Sequence, residues 1–110
     1  MGMGPQSAMS DALARLWAKF LPEILERVRV LENAGTALES GTLTEDERAG
    51  AAAAAHKLAG ALGTFGLTEG TALAREAETA YSEDAAIDAA GAARLKGIAL
   101  QLDAMIRARG

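Results

Sequence analysis

Leu13, Leu16, Trp17, Phe20, Ile24, Val28, Leu31 and Leu38 recur mostly at steps of three, four or seven, the spacing that aligns side chains along one stripe of a helix. The pattern predicts a long first helix over residues 10–40. Pro22 removes one backbone donor from its interior but falls roughly 200° around from Phe20, off the stripe, so the helix either kinks at Pro22 or restarts there. Gly41 follows as the glycine that ends it.

Thr44, Glu45, Asp46 and Glu47 form a capping box whose acids suit the positive end of a helix dipole, so a second helix starts there. Its body is rich in alanine through Leu62, and Gly66 with Leu67 supplies a left-handed stop and its apolar contact. Thr68 is expected to cap a third helix bearing Leu73 and Tyr81. Ser82, Glu83 and Asp84 are expected to provide the next break and cap, with Ile87, Leu95, Ile98, Leu102 and Met105 as the stripe of a fourth helix ending near Arg109. Four amphipathic helices with short links predict an all-α fold, an antiparallel four-helix bundle. Residues 1–9 read as a disordered N-terminal tail and residues 10–110 as one domain.

Composition sharpens this picture. Of 110 residues 50% are apolar, and 27 are alanine against only six valines and isoleucines, which favours helix over sheet. Fifteen acids outnumber eleven Lys and Arg for a net charge of −4, so no concentrated basic surface is available for nucleic acid. The longest uncharged stretch, Leu58 to Thr68, is too short for a membrane span, and the first residues lack the regions of a signal peptide. The sequence thus reads as a cytoplasmic protein with neither nucleic-acid nor membrane partners, and as a monomer.

The single histidine, His56, carries the chemistry. At 100° per residue, Ala51, Ala54, Ala55, Leu58, Leu62 and Phe65 fall about 160° to 260° away from it, while Ala52, Gly60 and Gly63 fall within about 40°. His56 is therefore expected to face away from the core, beside residues with almost no side chain. A glycine inside a helix costs about 0.5–1 kcal/mol relative to alanine, so Gly60 and Gly63 suggest that another macromolecule approaches the imidazole closely. Other chemistries fail on inventory. One His and no Cys make no zinc site, and no metal site is expected. There is no Gly-x-Ser-x-Gly elbow for acyl transfer. The run from Gly60 to Gly66 lacks the Lys-Ser/Thr of a phosphate loop, which excludes an ATP site and autonomous kinase activity.

The run Ala55-His56-Lys57-Leu58-Ala59-Gly60-Ala61-Leu62-Gly63-Thr64-Phe65-Gly66-Leu67 resembles the signature of histidine-containing phosphotransfer (HPt) domains, His-x-Leu-Lys-Gly followed by small residues and a glycine. His56, Leu58, Gly60 and Gly66 match in place, and Ala74 to Glu78 resembles the family's next helix. The resemblance implies a phosphocarrier, not an enzyme, whose His56 takes a phosphoryl group on Nε2 from a receiver-domain aspartate and passes it to another. It implies response-regulator receivers as partners, with a hybrid sensor kinase upstream. The chain itself needs no cofactor, Mg²⁺ being brought by the receiver. A surface around Ala52, Ala53, His56, Lys57, Gly60 and Gly63, extended by Leu67, would dock the partner. Where the family often has Lys, this chain has Ala59, which leaves Lys57 and Arg75 as candidate phosphoryl-stabilising cations; Ala59→Lys would put an ammonium about 60° from His56. Glu78 stands where some members orient the imidazole. A scaffold or dimerisation bundle of the same fold without transfer is the competing reading.

Overall fold

The computed structural model describes residues 5–110 and contains four helices: α1 (Pro5–Ser40), α2 (Glu45–Thr64), α3 (Thr68–Ser82) and α4 (Ala89–Arg109). They close as a bundle in which α2 packs most extensively on α3, α1 lies against both α2 and α4, and α3 meets α4 most lightly. The core is formed by Trp17, Ile24, Val28 and Leu31 of α1, Leu58 and Leu62 of α2, Leu73 and Tyr81 of α3, and Leu95, Ile98, Leu102 and Ile106 of α4.

α1 is continuous through Pro22, which stays exposed. The helix begins at Pro5, whose fixed φ suits a first helical position, so residues 5–9, expected in the tail, are helical. Residues 1–4 of that tail lie outside the described residues. The front of the α1 stripe departs from expectation too. Leu16 and Phe20, on either side of the buried Trp17, are exposed because they line an open groove against the end of α2 beside Ala61 and Phe65, and residues before Leu16 run past the other helices.

Both predicted glycine stops hold. Gly41 and Gly66 have φ of 69° and 76°, and Leu67 N–H donates to the Leu62 carbonyl at 2.9 Å in the six-to-one bond that closes a left-handed helix end. The capping box at Thr44 and Glu47 is complete, and its bonds hold the Glu47 carboxyl below the usual carboxylate range.

Two boundaries are corrected. Leu67, not Thr68, is the N-cap of α3 and uses no side-chain bond, because the chain reverses within one residue and Leu67 serves both helix ends. α4 starts at Ala89 behind Asp88, whose side chain accepts from Gly91 N–H at 2.8 Å, so Ile87 belongs to the link and the stripe of α4 ends in Ile106 rather than Met105. Arg48 holds that link. Its Nε donates to the Tyr81 carbonyl at 3.0 Å, and Nη2 reaches the carbonyls of Ala80, Glu83 and Ala85. Four backbone acceptors, two in the last turn of α3 and two past its end, thus find one guanidinium, which the side-chain pattern along the sequence did not reveal.

Candidate functional site

The site begins with alanine. Ala51, Ala55 and Ala59 on α2 and Gly70, Ala74 and Ala77 on α3 are buried, so the two helices approach with little side chain between them. The Thr71 hydroxyl donates to the Ala59 carbonyl at 3.3 Å and ties the pair together. Glu78 lies two turns beyond Thr71 on the same side of α3. From there it reaches the imidazole: His56 Nδ1 and Glu78 Oε2 are 2.7 Å apart.

His56 faces outward, as its angular position requires, with its side chain 73% exposed. At 2.7 Å from a carboxylate oxygen, Nδ1 is the nitrogen that carries a proton, because the carboxylate can only accept. Nε2 has no partner among the described residues, and in the neutral ring it is the nitrogen that holds the lone pair. A neutral imidazole so arranged is a nucleophile at Nε2, and a positive charge arising on the ring is stabilised by Glu78.

The surroundings are smooth. Gly60 and Gly63 are exposed, and a Cβ built on Gly60 meets nothing within 4 Å, while one on Gly63 meets only Thr71 Oγ1 at 3.5 Å. Neither glycine is required by internal packing. Ala53 is exposed and Ala52 half-buried on the same outer surface. Leu67 stands apart, packed against the core as part of the helix turn.

Lys57 and Arg75 are exposed on α2 and α3, and neither takes part in an ion pair among the described residues. Glu78, three residues beyond Arg75, is engaged with His56 instead. Ala59 is only 4% exposed and its carbonyl accepts from Thr71 of α3, so a lysine at this position would have to run its stem along the edge of the α2–α3 seam to bring an ammonium to the surface. No helix among the described residues is long and apolar enough to cross a membrane.

The family model of the Hpt domain matches residues 15–109, nearly the whole bundle. Protein RcaC of Microchaete diplosiphon is 35% identical over 77 residues, which cover 67% of this chain and 12% of the relative. The chain thus spans about an eighth of the length of that protein. No solved structure matches.

Proposed function

Because the chain belongs to the Hpt domain family, we propose that it is a phosphocarrier of a phosphorelay, with His56 as the residue that takes and gives the phosphoryl group. The observation that carries this reading is the His56–Glu78 contact of 2.7 Å on an otherwise exposed imidazole. Nε2 attacks the phosphorus of a receiver's aspartyl phosphate, the bond from phosphorus to the carboxylate oxygen breaks, and the aspartate leaves as a carboxylate. Nδ1 keeps its proton throughout. Glu78 orients the ring and offsets the positive charge on the phosphorylated imidazole, and the reverse step hands the group to a second aspartate.

The receiver brings Mg²⁺ and its acidic pocket, and no ATP site is needed on this chain. Ala52, Ala53, Gly60 and Gly63 form the flat ground on which the receiver sits, with Lys57 and Arg75 at its edges to meet the phosphoryl charge. Transient contacts of this kind depend on access more than on area. A hybrid sensor kinase would be the upstream source, and the reading places the chain with these partners in the cytoplasm.

The test is transfer from a phosphorylated receiver domain to the chain. The account expects an acid-labile, base-stable label that His56→Gln abolishes. A label that survives this substitution defeats the assignment, and receiver binding without any transfer favours the scaffold reading.

A further inference from the structure

The front of α1 carries an exposed apolar stripe. Met9, Leu13, Leu16 and Phe20 fall within about 60° of one another around the helix, and Met9, Leu16 and Phe20 are 67%, 43% and 39% exposed. Residues 5–16 extend roughly 18 Å past Trp17, where the other helices of the bundle end. The four apolar positions are spaced four, three and four residues apart, and that series reads the same in either direction.

Self-complementarity of this kind is what a two-fold interface requires, since the same patch serves both partners. Laid antiparallel with its centre between Leu13 and Leu16, the stripe sets Met9 of one copy against Phe20 of the other and Leu13 against Leu16. Phe20 also lines a groove of about 270 Å³ whose floor is apolar, with Leu16, Ile24, Ala61 and Phe65, and whose edge carries Glu23, Arg27 and Thr64. An unbranched methionine side chain adapts well to such a gap. Ala8 and Ala12 flank the stripe on the side that meets the partner's Lys19, so the helices can approach closely there.

We propose that two copies of this chain pair antiparallel through the projecting part of α1, each placing its Met9 in the groove of the other. The pairing replaces the expected monomer and is independent of whether phosphotransfer occurs. Ala61 lies about 140° around α2 from His56, so both histidines stay open in the pair.

Sedimentation equilibrium of the full chain tests this. The apparent mass should rise from 11.3 kDa toward twice that value as concentration increases, while a Leu13→Glu, Leu16→Glu variant should remain at the monomer mass with unchanged helical circular dichroism. A native chain that stays monomeric at high micromolar concentration overturns the proposal, as does a variant that still pairs. The chain has no cysteine, so register is read by mixing Met9→Cys with Phe20→Cys protein under oxidation. The antiparallel arrangement expects the mixed disulfide to dominate; a parallel arrangement gives Met9→Cys homodimers instead and refutes it.

Discussion

His56 could be placed from the sequence because a helix converts residue number into angle, and the larger apolar residues of α2, Leu58 and Leu62, fell on the opposite side. Its contact with Glu78 could not be placed, since it joins residues 22 apart and depends on how closely α2 and α3 approach. In retrospect the alanine-rich composition was the signal, small residues on both helices being what permits that approach. The burial of Ala59 was not legible, because its angle lies just beyond the buried arc read from the sequence and the seam with α3 extends over it. On the proposed mechanism the candidate cations for the phosphoryl group are Lys57 and Arg75, both exposed and free of ion pairs among the described residues. Lys57→Ala and Arg75→Ala are each expected to slow transfer no more than a few-fold, because exposed charge pairs contribute only about 0.2–1 kcal/mol. Rates measured for the two variants and their double will show which carries the effect; three rates equal to the native one would assign charge stabilisation to the receiver alone.

Helix starts and stops were legible wherever local chemistry sets them, at the Thr44 capping box and at the positive-φ positions Gly41 and Gly66. The link between α3 and α4 was not. Ser82, Glu83 and Asp84 looked like a cap, but the segment is held from a distance by Arg48, which gathers the carbonyls of Ala80, Tyr81, Glu83 and Ala85. Arg48→Ala is expected to lower stability in urea by about 1–3 kcal/mol, since it strips acceptors of a charged donor. Arg48→Lys should recover only part of that loss, because an ammonium lacks the planar fork that spans several carbonyls. Faster amide exchange confined at first to residues 83–88 would mark the link as the segment released.

The described residues span 58 × 21 × 19 Å, long because α1 outruns its partners. Its hydrophobic period was readable, but where the bundle stops covering α1 was not, since a stripe made for the core and one made for a partner have the same spacing. Global stability is tied to pH at one buried phenol. Tyr81 is 3% exposed and its hydroxyl has no hydrogen-bond partner among the described residues; burial pushes its pKa from 10.0 up to about 12, against a smaller opposing effect of Arg48. The neutral phenol is thus favoured in the folded state, and its contribution is complete below pH 10. That contribution falls as pH rises toward 12, where the unfolded chain has already released the proton. Tyr81→Phe should remove this part of the alkaline loss and leave stability at neutral pH within about 1 kcal/mol of the native value, because no hydrogen bond is broken. Urea titrations of both proteins across that range will show it; parallel pH profiles would mean that Tyr81 does not ionise on unfolding.

The central claim concerns one nitrogen atom, and long-range ¹H–¹⁵N NMR of the phosphorylated chain addresses it directly. The account predicts a single phosphoryl group on Nε2 of His56, with Nδ1 protonated and hydrogen-bonded to Glu78. A phosphoryl group on Nδ1, or on any residue other than His56, would contradict it.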